Sequence, residues 1–176
     1  MKELLRKQFL ALRRGLSQDR RIEAAEQLLK TLDACCLPFK RIASFSSMKD
    51  EIDLSAFNVK LAKENRLLLP RRVENGLQYY QVSDLATLER TEGYLMEPNP
   101  ALCIPAALST EDLILVPGLA FDAEGFRLGY GKGHFDRFLA QHSSIPTAGV
   151  GFFEQKSEDP LPRDKWDLPI NVLYLF

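Results

Sequence analysis

The run Asp112-Leu-Ile-Leu-Val116 constrains this chain more than any other segment. An unbroken apolar strand buries both of its faces, which happens at the centre of a parallel sheet covered by helices on each side. A glycine-rich loop follows, then a helix-patterned stretch from about His134 to Gln141. Open α/β sheets build their ligand sites at such a hand-over, beyond the carboxyl end of a strand. The rest of the chain fits this frame. Arg41–Phe45 reads as a short buried strand, Leu54–Glu64 as a helix, and Arg66–Leu69 as a second strand ended by Pro70. That strand–helix–strand unit favours parallel pairing. Leu77–Val82 alternates around Tyr79 and Tyr80 and is expected to form an edge or hairpin strand with the stretch before Asn75-Gly76. Residues 83–111, with Pro98, Pro100 and Pro105, are expected to be loop-rich, and Thr147–Phe152 and Val172–Leu175 complete the sheet. The expected fold class is α/β: a mostly parallel central sheet with helices on both faces, three-layered and Rossmann-like.

Two helices come first. Leu5, Phe9, Leu12 and Leu16 recur at helical spacing, which predicts an amphipathic helix over 2–14 ended by Gly15. Ser17 is the expected N-cap of a second helix, Arg20–Leu32, with Ile22, Ala25, Leu28, Leu29 and Leu32 turned inward. The segment from Leu4 to Arg14 is rich in arginine, but Glu3 and Asp19 bracket it, so it reads as an ordinary first helix rather than a targeting segment.

A length of 176 residues suits one domain spanning 1–176. The net charge of -1 provides no global basic field for nucleic acid, so any cationic site must be local. No apolar run approaches the roughly 20 residues that span a bilayer. The odd set of Cys35, Cys36 and Cys103 suggests no disulfide framework and points to a reducing, cytoplasmic setting. His134 and His142 form no zinc-ligand spacing with these cysteines.

The chemistry is expected in the stretch from Pro117 to Asp136. Gly129, Gly131 and Gly133 alternate there, so the backbone can approach a ligand and turn its N–H groups towards it. The next helix adds its positive N-terminal end, and Arg127 and Lys132 add full cations. This composition suits a polyphosphate. The loop is not a Walker A, because Phe126 occupies the first glycine position and Gly133 follows Lys132. Nor is it the dinucleotide fingerprint, since His134 stands where the last glycine belongs. On the first helix, Lys2, Arg6 and Arg13 share one narrow sector beside the apolar stripe, for which a solvated basic edge is the simpler expectation. Ser46 to Asp53 forms a polar loop after the first strand, suited equally to holding a small substrate or to capping the next helix.

Together these segments resemble the 5-formyltetrahydrofolate cyclo-ligase family. The resemblance rests on Lys2-Glu-Leu-Leu-Arg6, Met48-Lys-Asp-Glu-Ile52, Glu97-Pro98, Val116-Pro-Gly-Leu-Ala-Phe-Asp122, and above all Gly125-Phe-Arg-Leu-Gly-Tyr-Gly-Lys-Gly-His-Phe-Asp136. Here His134-Phe135 stands where the family pattern has Tyr-Tyr, and Asn171 where an aspartate is common. The resemblance implies a monomeric ATP-dependent ligase that cyclises 5-formyltetrahydrofolate to 5,10-methenyltetrahydrofolate with magnesium, releasing ADP and phosphate through a phosphorylated formyl group. It implies that Lys2, Glu3, Leu4, Leu5 and Arg6 contact ATP, together with Arg127, Leu128, Gly129, Tyr130, Gly131, Lys132, Gly133, His134 and Phe135. It also implies a folate pocket lined by Ser46, Glu51 and Tyr130 to His134, a catalytic pair in Arg127 and Lys132, and magnesium on Asp136 and Asp167. Two other readings stay open. A folate- or nucleotide-binding protein would bind both ligands without turnover, and a sugar-phosphate isomerase would ignore ATP.

Overall fold

The computed structural model describes every residue except Asn75, Gly93, Tyr94 and Trp166. In chain order the elements are α1 (Lys2–Arg14), α2 (Gln18–Cys35), β1 (Ile42–Ala43), α3 (Ser55–Lys63), β2 (Leu67–Val73), β3 (Gly76–Gln81), β4 (Leu88–Arg90), β5 (Met96–Pro98), β6 (Ile104–Pro105), β7 (Leu113–Val116), β8 (Ala120–Phe121), β9 (Arg127–Leu128), α4 (His134–Gln141), β10 (Thr147–Gly151) and β11 (Val172–Leu175). The central sheet runs β11-β10-β7-β1-β2-β3-β6. Every pairing from β11 to β2 is parallel, and β3 and β6 add antiparallel strands at one edge.

The all-apolar β7 is explained by its place between β10 and β1. Its side chains alternate between two cores, as successive strand residues must. Leu113 and Leu115 join Ile42, Leu67 and Val150 under Leu28, Leu32, Phe57 and Leu61 of α2 and α3. Ile114 and Val116 join Ala43 and Leu68 on the other face, under Phe138 and Leu139 of α4. The mostly parallel, three-layer α/β expectation therefore holds. Helix α1 sits apart from both layers, with Leu5 and Phe9 on a small cluster of Ala120, Leu128 and Leu161.

Several local expectations are corrected. Pro70 does not end the second strand, which continues to Val73 in antiparallel pairing with β3. Beyond Leu68 the parallel partner β1 has ended, so no neighbour on that side needs the N–H that proline lacks. Residue Asn75 of the expected hairpin turn lies outside the described residues. The stretch 83–111 is not all loop: β4 and β5 pair as a hairpin, and β6 caps the sheet edge. Helix α2 is longer than expected at both ends, and it buries Ala24, Leu28 and Leu32 while Ile22 is exposed. Ser17 caps it as expected, accepting from the Arg20 N–H at 3.2 Å. On α1 the stripe is rotated: Leu12 is exposed and Arg13 is completely buried.

Candidate active site

The chain leaves β7 through Pro117-Gly118 and folds into the β8–β9 hairpin. Asp122 shapes the turn, its Oδ1 accepting from the Glu124 and Phe126 N–H groups at 3.0 and 2.9 Å. Gly125 adopts φ +85°, and a Cβ there would lie 2.5 Å from the Ile170 carbonyl oxygen. Only glycine lets the hairpin close against the C-terminal segment, where the Ile170 N–H donates to Gly125 O at 2.9 Å. This contact brings Asp164 and Asp167 beside the glycine loop.

Arg127, on β9, is nearly buried. Its Nη2 donates to Asp136 Oδ1 at 2.5 Å, its Nη1 donates to Pro117 O at 3.1 Å, and the guanidinium lies 5.5 Å from the centre of the Phe135 ring. Gly131 and Gly133 hold φ +96° and +67°, and Gly133 stands at the N-terminus of α4. The run from Arg127 to Asp136 is a wall between two cavities. One, of about 320 Å³, is lined by apolar Phe45, Leu77 and Met96 and by polar Ser46, Glu51 and Arg72. The other, of about 120 Å³, is polar and lined by Lys2, Arg6, Asp164 and Asp167. Arg127, Gly129, Gly131, Gly133 and Asp136 line both.

This geometry brings together most of the residues singled out from sequence. Ser46, Glu51, Tyr130, Lys132, His134 and Phe135 line the large cavity, and Leu128 lines the small one. Ser46, Met48 and Glu51 of the Ser46–Asp53 loop line the large cavity, while Leu54 is the N-cap of α3 without a side-chain cap, and Asp53 Oδ1 accepts only from the Ser55 N–H at 2.8 Å. Within the N-terminal run, Lys2 and Arg6 reach the small cavity, but Glu3, Leu4 and Leu5 line neither. Glu3 faces Lys7 at 3.8 Å on the surface, Leu4 is exposed, and Leu5 packs on Leu128 and its neighbours. The solvated basic edge expected of α1 is overturned. Lys2 Nζ donates to Asp164 at 2.7 Å and Asp167 at 3.1 Å, and Arg6 Nε donates to Gly129 O at 2.9 Å. Arg71 pairs with Glu89 at 2.6 Å, and Arg72 with the buried Glu97 at 2.8 Å.

The charges respond to this packing. Burial works against the Lys2 ammonium, but Asp164 and Asp167 outweigh it and hold its pKa above the ordinary lysine value. Burial drives the Glu51 carboxyl up, against the Met48 N–H, Arg13 and Tyr130. His134 is held below the usual imidazole value by burial and then by Arg137, Arg72 and Lys132, so near neutral pH it is a neutral ring.

The sequence reasoning missed Asp164. It carries no motif, and long-range contacts deliver it to the cavity: the Ile170 N–H on Gly125 O, the Leu161 N–H on Asp122 Oδ2 at 3.0 Å, and Arg163 against Glu124. Among the described residues, no group of three or more histidine, cysteine or acidic side chains is close enough to hold a metal ion by itself. Asp136 and Asp167 nevertheless share one polar cavity with Asp164. That donor set fits magnesium, which takes one or two carboxylates and completes its shell with water and phosphate oxygens. Asp136 pairs with Arg127, and Asp164 and Asp167 pair with Lys2.

Comparison with known proteins gives concordant results. Residues 1–175 match the model of the 5-formyltetrahydrofolate cyclo-ligase family. The mouse 5-formyltetrahydrofolate cyclo-ligase is 32% identical over 149 residues, covering 77% of this chain and 73% of that protein. The NMR structure of Aquifex aeolicus 5,10-methenyltetrahydrofolate synthetase superposes with a TM-score of 0.80 at 36% identity, covering 98% of this chain and 88% of the other. The structure of the Mycoplasma pneumoniae 5,10-methenyltetrahydrofolate synthetase shares the fold, with a TM-score of 0.73 at 24% identity over 98% of this chain and 96% of that one.

Proposed function

The chain belongs to the 5-formyltetrahydrofolate cyclo-ligase family, and from that membership we propose that it closes 5-formyltetrahydrofolate to 5,10-methenyltetrahydrofolate with ATP as phosphoryl donor. The observation that carries this reading is the shared wall. A roomy, largely apolar cavity and a small, polar, cation-lined one meet along Arg127, Gly129, Gly131, Gly133 and Asp136. A folate ring suits the first and a polyphosphate the second, and the wall is where they would react.

The formyl oxygen attacks the γ-phosphorus of ATP, and ADP leaves. The second folate nitrogen then attacks the activated formyl carbon. It loses its proton as the ring closes, and phosphate departs with the former formyl oxygen. Folate supplies the nucleophile, so the protein's task is positioning and charge neutralisation. Arg127 is suited to span the transferring phosphoryl group, because it borders both cavities. Lys2 and Arg6 are suited to the phosphates from α1, and Lys132 adds charge on the folate side. When nucleotide enters, its oxygens replace the carboxylate partners of Lys2 and Arg127, which frees Asp167 and Asp136. Those two residues would hold magnesium, which supplies further neutralisation of phosphate charge. The free thiols Cys35, Cys36 and Cys103 suit the cytoplasm.

The test is direct. Purified protein given ATP, magnesium and 5-formyltetrahydrofolate is expected to raise the near-ultraviolet absorbance of the methenyl product, with one ADP and one phosphate released per ring closed. Binding of both ligands without absorbance change refutes catalysis, and product without phosphate release refutes the phosphorylated formyl step.

A further inference from the structure

Arg13 is the largest fully buried side chain among the described residues, and it lines neither cavity. Its Nη2 donates to Asp50 Oδ2 at 2.9 Å and also to the Tyr130 hydroxyl. Its Nη1 donates to Gly118 O at 3.3 Å and lies 3.9 Å from Glu51 Oε1. The Tyr130 hydroxyl in turn donates to Glu51 Oε1 at 3.1 Å, and the Met48 N–H donates to Glu51 Oε2 at 2.9 Å. One guanidinium thus joins α1, the loop after β1, the loop after β7 and the glycine loop. Burying a cation here is costly, and an apolar side chain of similar volume would fill the space. What an apolar residue cannot do is bond several loops at once through a planar fork.

We propose that Arg13 is a positioning residue for the large cavity, fixing Tyr130 against Glu51 from behind the wall. This rests on the ligase reading for the identity of the ligand in the cavity. Tyr130 and Glu51 touch the cavity and Arg13 does not, so Arg13 acts only through them.

The charge around Glu51 gives the proposal a second readout. Arg13 and Arg14 approach from α1, the latter 3.7 Å from Asp50, and Arg21 of α2 donates to the Asp50 carbonyl at 3.4 Å. Asp50 is the acidic neighbour on the same loop, and Tyr130 closes the other side. Elsewhere on the cavity lining stand Arg72, Glu97, Lys132 and His134. Burial favours the protonated Glu51, and Arg13 is the cation nearest its carboxyl group that favours the ionised form. Removing the Arg13 charge therefore raises the Glu51 pKa further, and a protonated Glu51 accepts fewer hydrogen bonds from the N–H donors of a bound ligand.

The experiment uses wild type, Arg13→Lys, Arg13→Met and Asp50→Asn, with folding checked by circular dichroism. Rates are measured with ATP and 5-formyltetrahydrofolate varied separately, and the affinity for each is measured by calorimetry. Arg13→Lys is expected to raise the folate KM and Kd by about tenfold, the loss of roughly one charge-assisted hydrogen bond, with the ATP values within about twofold of wild type. Arg13→Met is expected to add an upward move of about one pH unit in the acid limb of kcat/KM for folate. Asp50 lines neither cavity, and Asp50→Asn should weaken folate in the same direction by less. Unchanged folate values in folded Arg13→Lys overturn the proposal, as do ATP and folate values that move together or an acid limb that stays in place. If neither Arg13 variant folds, Asp50→Asn decides, and an unchanged folate KM overturns the proposal. A wild type that binds folate without turnover refutes the ligase reading alone, because the affinity comparison still tests Arg13. A wild type that does not bind folate overturns both.

Discussion

Replacing Arg127 with alanine separates catalysis from folding, because the structure sets the two losses at different sizes. The side chain makes two hydrogen bonds, at 2.5 Å to Asp136 and 3.1 Å to Pro117 O. Asp136 is partly exposed and can be resolvated, so the variant loses one charge-assisted and one ordinary bond, about 2 kcal/mol of stability. In a chain of this size that lowers Tm by roughly 4–8 °C. It leaves the protein overwhelmingly folded, given a total stability on the order of 5–15 kcal/mol. The cost to turnover is larger. A preorganised donor aimed at developing charge in a closed site is worth about 10²–10³ in kcat. Rates are read from methenyl absorbance at saturating ATP and folate, and Tm by scanning calorimetry of the same preparations. Arg127→Lys keeps the charge but loses the fork, and is expected to fall between wild type and alanine. If Arg127→Ala turns over within about tenfold of wild type while showing the expected drop in Tm, Arg127 is a structural tie and its placement at the transferring phosphoryl group is wrong.

Three further outcomes are expected. Gly131→Ala forces a residue with φ +96° and a Cβ 3.2 Å from Arg6 Cζ, so ATP affinity should fall by about tenfold or more, and by more than folate affinity, because the added Cβ meets the Arg6 side of a wall that both ligands share, measured by calorimetry. Asp167→Asn should raise the magnesium concentration for half-maximal rate by about tenfold, with an unchanged maximum at saturating metal, and an unshifted magnesium titration would exclude Asp167. Acid sensitivity should trace partly to Asp112: burial raises its carboxyl, but the Arg41 fork at 3.0 and 2.7 Å and Ser109 outweigh burial and hold it below the ordinary value. A carboxyl depressed in the folded state contributes stability that is present above its unfolded pKa of about 4 and is lost as pH falls through the folded value. The Tm difference between wild type and Asp112→Asn should therefore shrink below about pH 4, and a difference that stays constant with pH would refute the assignment.

Local pattern carried a large part of the fold. The unbroken apolar run places β7, buried on both faces, and the Ser17 cap and apolar spacing place α2 to within a few residues. Errors arose where a residue's neighbours come from far along the chain. Pro70 looks like a strand end until the partner on one side is known to stop at Ala43. Helical spacing put Lys2, Arg6 and Arg13 in one sector, which was correct, but spacing does not say which edge of a stripe is covered. That depends on Gly118, Asp50 and Tyr130 for Arg13, and on a carboxylate 162 residues away for Lys2.

The sequence by itself determined the central apolar strand, the side-chain-poor bend after it and the cations beside that bend, because backbone freedom and burial period are properties of short segments. Tertiary structure decided that the bend separates two cavities, that α1 turns its cations inward, and that Asp164 and Asp167 arrive through Gly125 and Ile170. Electrostatic partners and enclosed space are properties of surfaces brought together by packing, and no window of the chain contains both sides of such a contact.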